Sequence, residues 1–258
     1  MNYLLYLCIL CLSLAFSQDF QPQTKAELET AVDLWVSDNS TALSTYGEIN
    51  AWDVSLITDM SDLFKERSTF NEDISNWNVS NVEDMQSMFA KAESFNQDLS
   101  DWNVSKVEDM SSMFYNAYSF NGDVSTWDVS SVTTMRTMFG VEYDGEASSF
   151  NQDLSSWDVS SVKTMEYMFA TAAIFNQDLS DWNVSNVTNM SSMFGNATNF
   201  NQDISNWNVS NVVRMNYMFG NATSFNQDIS NWDISSISYM NYMFSGVDGN
   251  DDAALSDE

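Results

Sequence analysis

Tryptophan occupies positions 52, 77, 102 and 127, and then 157, 182, 207 and 232, a spacing of 25 residues broken once by a spacing of 30. Around each tryptophan the same phrase returns, as in Phe95-Asn-Gln-Asp-Leu-Ser-Asp-Trp-Asn-Val-Ser-Lys-Val-Glu-Asp-Met-Ser-Ser-Met-Phe114. A period of this length over most of a chain marks stacked units, each too small to bury its apolar side alone. Every chemical group is then repeated from unit to unit. Function must reside on an extended surface, or where the repetition breaks.

Each unit splits in two. Val82, Met85, Met88, Phe89 and Ala92 fall at helical spacing on one face, with Ser80 before them as an N-cap and Glu83 three residues on. This predicts a helical or 3-10 return. The other half is turn-rich, and its Gln-Asp-(Ile/Leu/Val)-Ser core is long enough for one short strand. The expectation is an α/β solenoid: eight 25-residue coils over residues 51–245, each with a short parallel strand and a helical return. Phe, Trp and Met form its core, with Leu63 replacing one methionine in the first unit. Residues 18–50 fall outside the repeat. Thr24 and Glu27 have capping-box spacing, and Leu28, Ala31, Val32 and Trp35 make one apolar helix face, so this segment reads as an N-terminal cap.

The phrase Phe-Asn-Gln-Asp-(Ile/Leu)-Ser-x-Trp-(Asn/Asp)-Val-Ser-x-Val-x-x-Met-x-x-Met-Phe-x-x-Ala closely resembles the repeat of the BspA-like surface proteins, the DUF285 module. The resemblance covers residues 51–245. It implies a leucine-rich-repeat-like solenoid on a secreted or surface protein that works by adhesion or interaction. No lipobox, Leu-Pro-x-Thr-Gly sorting motif or second apolar span accompanies it, so the mode of surface retention stays open.

Residues 1–17 form an apolar run ending Ala15-Phe16-Ser17, which reads as a cleavable secretory signal and predicts an extracellular or cell-surface location. Both cysteines, Cys8 and Cys11, lie inside it. The expected mature chain has no disulfide and no membrane insertion, and must be held together by stacking. With 37 acidic and 8 basic residues the net charge is −29, which repels nucleic acid and anionic lipid but suits cations, basic partners or neutral glycans. Histidine is absent, which removes Ser-His triads and ordinary zinc sites. A hydrolytic carboxylate pair needs two acids in different environments, whereas a repeat offers near-identical ones. The chain therefore reads as non-enzymatic. Residues 246–258 are acidic and aperiodic, and read as a disordered tail.

The sharpest polar feature is a column of aspartates: Asp73, Asp98, Asp123, Asp153, Asp178, Asp203 and Asp228. Stacked about 5 Å apart, neighbours would repel by about 0.8 kcal/mol in water. Two compensations are open: hydrogen-bond donors at each turn, or bridging Ca²⁺. A second column, at 53, 78, 103, 128, 158, 183, 208 and 233, alternates between Asp and Asn, as a turn cap would. The 30-residue gap places an insertion at 140–146, where Glu142, Tyr143, Asp144 and Glu146 are binding candidates. Asn39, Asn196 and Asn221 are the more accessible glycosylation sequons. The function expected is a secreted binding or adhesion module for protein or glycan partners. The alternative is a calcium-stiffened coat without a specific ligand.

Overall fold

The computed structural model describes residues 20–142 and 147–247. The expected signal segment and most of the acidic tail lie outside them. The chain begins with two helices, α1 (Lys25–Ser37) and α2 (Asn39–Tyr46), followed by a 3-10 turn at Ile49–Ala51. Thr24 caps α1 by accepting from the Glu27 amide at 3.2 Å, while Glu27 reaches back to the Gln23 amide. Leu28, Ala31, Val32 and Trp35 are buried, and Trp35 meets Trp52 of the first repeat edge-on at 5.8 Å. The Lys25 ammonium reaches Asp59 of the same unit at 2.9 Å.

The repeats stack in register. Phe64, Phe89, Phe114, Phe139, Phe169, Phe194 and Phe219 form one column with ring centroids 5.3 to 5.8 Å apart. A second phenylalanine column runs beside it from Phe70 to Phe225. The tryptophans are almost wholly buried, and from Trp102 to Trp232 each repeat indole N–H donates to a main-chain carbonyl of the preceding unit, as Trp182 does to Leu154 at 2.9 Å. Tryptophan therefore joins units by packing and by one hydrogen bond each.

The α/β solenoid, with its leucine-rich-repeat-like strand and helical return, does not form. Among the described residues there is no strand, and both α-helices lie outside the repeats. Neighbouring units share only single-residue parallel bridges, from Asp59↔Asp84 to Arg214↔Tyr239.

Two local causes explain the difference. In the segment expected to be a strand, side chains take over the pairing. Asn71 Oδ1 accepts the Asn96 amide at 2.9 Å, Asn96 Oδ1 accepts that of Asn121, and the pattern continues to Asn226. An asparagine oxygen stands where a sheet would place a backbone carbonyl. In the segment expected to be a helix, the third residue of each Met-x-x-Met is left-handed, with φ from +53° to +59° at Asp62, Ser87, Ser112, Thr137, Tyr167, Ser192, Tyr217 and Tyr242. No α-helix survives such a residue. Met88 donates three residues back to Met85, while Met85, Ser87, Phe89 and Lys91 all donate to the next unit. Fewer amides donate back, as Glu108 does to the Glu83 carbonyl and Ser119 to that of Glu93, so the two-way exchange of a parallel ladder closes at one residue per unit and goes no further.

A left-handed non-glycine residue costs roughly 1–2 kcal/mol. Isolated outliers of this kind point to function; here they recur through the units, so the geometry belongs to the architecture. The cross-unit bonds and the buried Met and Phe side chains offset the strain.

Like charges do meet at one place. Asp59, Asp84 and Asp109 occupy successive bridge positions. Burial pushes the Asp84 carboxyl above its ordinary range, against its bond from the Gln86 amide, and repulsion from Asp109 and Asp59 adds to this. A raised carboxyl opposes folding at neutral pH and ceases to do so once protonated. Asn189 fills the same position in a later unit and accepts from Ser191 just as Asp84 accepts from Gln86. Asp84→Asn is thus expected to stabilise the chain by about 0.5–1 kcal/mol at pH 7. The gain should vanish once acidification protonates the wild-type Asp84, which paired thermal melts at neutral and acidic pH would show.

Candidate functional site

Each member of the Asp73 to Asp228 column accepts the amide of the serine two residues on, at 2.8 to 2.9 Å. The Ser75 amide and hydroxyl hold the Asp73 carboxyl below its ordinary range, and serine partners do the same for Asp153, Asp203 and Asp228. That stabilisation is present above the unfolded aspartate pKa and is lost as pH falls through the lowered folded values. The second column makes the same turn whether Asp or Asn is present: Asp158 accepts from Ser160 at 3.0 Å, and Asn183 from Ser185 at 3.2 Å. Only an acceptor oxygen is needed there. Among the described residues no cluster of three or more His, Cys, Asp or Glu side chains could hold a metal ion. Millimolar Ca²⁺ is accordingly expected to leave the melting temperature unchanged, a result that calorimetry with and without chelator would check.

A different surface combines concavity with chemistry. It is built from the variable positions of the Met-x-x-Met-Phe-x segment, which the turn geometry lines up as columns. The left-handed position carries Tyr167, Ser192, Tyr217 and Tyr242 in the last four units, and these tyrosines are 40 to 49% exposed. The residue after each phenylalanine forms the floor between the columns: Gly140, Ala170, Gly195 and Gly220. At Gly140 a Cβ would stand 2.7 Å from the Tyr167 carbonyl oxygen, whereas at Gly195 and Gly220 it would meet nothing nearer than 3.4 Å. The next left-handed position forms a polar rail of Thr171, Asn196 and Asn221, in which Asn221 Nδ2 donates to Asn196 Oδ1 at 2.9 Å.

Two cavities share Tyr167 as a wall. One, of about 410 Å³, lies between Tyr115 and Tyr167 and is edged by Arg136, which pairs with Glu166 at 2.9 Å. The other, of about 250 Å³, lies between Tyr167 and Tyr217 over Ser192 and Gly195. No charged side chain lines the second cavity, in a chain of net charge −29. Charge along the neighbouring bridge column changes in the same direction, from Asp59, Asp84 and Asp109 through Thr134, Thr164 and Asn189 to Arg214, whose guanidinium lies 4.8 Å over the Tyr239 ring. The acidic residues of this bridge column are confined to its first three units.

The insertion borders the groove. Val141 lines both cavities, the Glu142 amide donates to Asn116 Oδ1 at 2.8 Å, and the Tyr115 hydroxyl donates to Glu142 Oε1 at 2.7 Å. Of the binding candidates, Glu142 is therefore placed beside a cavity wall; Tyr143, Asp144 and Glu146 lie outside the described residues. Asn196 and Asn221 are on the polar rail, whereas Asn39 is exposed at the start of α2, far along the sequence from them. The Asp73 to Asp228 column lines neither cavity.

A family model described as "Mycoplasma protein of unknown function, DUF285" matches residues 35–144 and again residues 142–255. The chain belongs to this family. No curated protein and no solved structure matches it. The boundary between the two DUF285 matches falls at residues 142–144, inside the insertion. The groove thus lies mainly in the second match, where the tyrosines replace the Asp, Ser and Thr found at the same column in earlier units.

Proposed function

We propose that this DUF285 chain is a secreted, non-enzymatic binding module that holds an uncharged extracellular partner, protein or glycan, along the tyrosine-railed groove. The observation that carries the reading is the neutrality of the cavity between Tyr167 and Tyr217: exposed tyrosines, amides and hydroxyls around a small-residue floor, on a chain that is otherwise acidic. Exposed aromatic rings over a concave, mostly uncharged lining are the usual makings of a ligand site. The lack of histidine and the uniform serine-capped aspartates support a role without catalysis. Secretion is supported by the apolar run at residues 1–17.

The test is binding of the purified chain to arrayed glycans and matrix proteins at about 50 and about 500 mM salt, where screening separates charge-driven from neutral contacts. Binding should persist at the higher salt, and Tyr167→Ala, which removes the wall shared by both cavities, should weaken it at least about tenfold, or about 1.4 kcal/mol. Binding that disappears with salt and ignores Tyr167→Ala would place the function on the acidic columns instead.

A further inference from the structure

The tyrosine column has a gap of one ring. Tyr217 and Tyr242, in successive units, stack at 4.9 Å and 17°. Tyr167 and Tyr217 occupy the same column two units apart, with Ser192 between them. The buried phenylalanines of these three units stand 5.7 and 5.8 Å apart, so the backbone spacing is the same where the outer ring is missing. What remains is the cavity of about 250 Å³, walled by two tyrosines, with Ser192 and Gly195 as its base.

We propose that this slot binds one neutral sugar ring of a glycan chain. The proposal rests on the reading of the groove as the binding surface and names its ligand. A pyranose is a flat ring with apolar C–H faces and hydroxyls around its rim, so its faces suit the two tyrosines and its rim suits amides and hydroxyls. The slot supplies that rim. Asn196 and Asn221 are locked together by one hydrogen bond; Asn196 Nδ2 has no hydrogen-bond partner among the described residues, while Asn221 Oδ1 lies against the Gly246 backbone. Ser192 and Thr171 add hydroxyls. An aromatic side chain from a protein partner would fill the space but use none of these groups. An anionic sugar would meet the field of a chain carrying −29.

The structure also supplies the blocking variant. Ser192→Tyr would complete the column with the protein's own ring, and its left-handed backbone already accepts tyrosine at 167, 217 and 242. Ser87→Tyr makes the same change in the same column of an early unit, away from the slot. The chain would be produced in a bacterial host, so that Asn196 and Asn221 carry no glycan of their own. Saturation-transfer NMR and calorimetry would then be run with neutral gluco-, manno-, galacto- and N-acetylglucosamine oligomers, and with a tyrosine-containing neutral peptide. The expected result is binding of a neutral oligosaccharide, lost at least tenfold in Ser192→Tyr and unchanged in Ser87→Tyr. Failure of every neutral oligosaccharide to bind, or preference for the peptide, overturns the proposal. So does sugar binding that Ser192→Tyr leaves intact. If Tyr167→Ala abolishes binding and Ser192→Tyr does not, the groove is the surface but this slot is not the site; if neither has an effect, the groove reading fails as well.

Discussion

Phe194→Ala is expected to destabilise the chain by about 3–5 kcal/mol, with a fall in melting temperature of roughly 6–20 °C. Phe194 is fully buried, stacks on Phe200 at 3.8 Å, and touches the units on both sides through Phe169 and Phe219. Removing it opens a cavity at two unit–unit interfaces at once. Little can collapse into the space, because the cross-unit hydrogen bonds fix the separation of the backbones. The matching control is Phe244→Ala, in the same column but 37% exposed at the last unit. That change removes one interface and leaves no enclosed cavity, so it should cost a small fraction as much. Denaturant melts of both variants check the contrast. Equal losses would mean that the column is not the main support of the stack.

The second large effect is expected from a polar side chain. Asn151 Oδ1 accepts the Asn176 amide and Gln177 Nε2, both at 3.0 Å, while its own amide donates to Asn121 Oδ1 at 2.9 Å. Asn151→Ala leaves the half-buried Asn176 N–H without an acceptor, which costs about 1–3 kcal/mol. Asn151→Asp keeps an acceptor oxygen and should cost much less as a single change, since its column neighbours Asn121 and Asn176 are neutral. Repeated down the column, the same change would stack carboxylates with no positive charge between them. This accounts for a difference visible in the sequence. The column from Asn71 to Asn226 is asparagine in all seven units, whereas the column from Asp53 to Asp233 mixes Asp and Asn. The first bonds to the next unit; the second only caps its own turn.

Much of the core was legible in the sequence because periodicity reports burial whatever the backbone does. The tryptophans, the paired phenylalanines, the repeat methionines and the apolar face of α1 are buried, with Met240 and Phe244 of the last unit as the exceptions. Backbone conformation was not legible. Met-x-x-Met-Phe-x-x-Ala has helical spacing, yet a turn with left-handed residues places the same side chains inward, and nothing in Ser87 or Tyr167 announces a positive φ. The expected strand failed for a related reason: the asparagines that looked like turn residues take the pairing that a strand would use. The groove was hidden by the same error. On a helical return the positions of Tyr167, Ser192 and Tyr217 would be scattered solvent positions, whereas in stacked turns they form a column. One signal was available. Tyrosine enters that position only in the later units, and glycine or alanine follows the phenylalanine there, in a chain whose other surface positions favour Asp, Asn and Ser. The insertion gave a partial pointer, since Glu142 and Val141 border the cavities.

The slot is tested most directly by mapping backbone amide shifts on titration with the tightest-binding neutral oligosaccharide. Shifts are expected to concentrate at Ser192, Gly195, Asn196, Gly220 and Asn221, around the slot and its rail. Shifts concentrated at Ser75, Ser100, Ser180 and Ser205, the amides that cap the aspartate column, would place binding on the acidic face and rule out the slot.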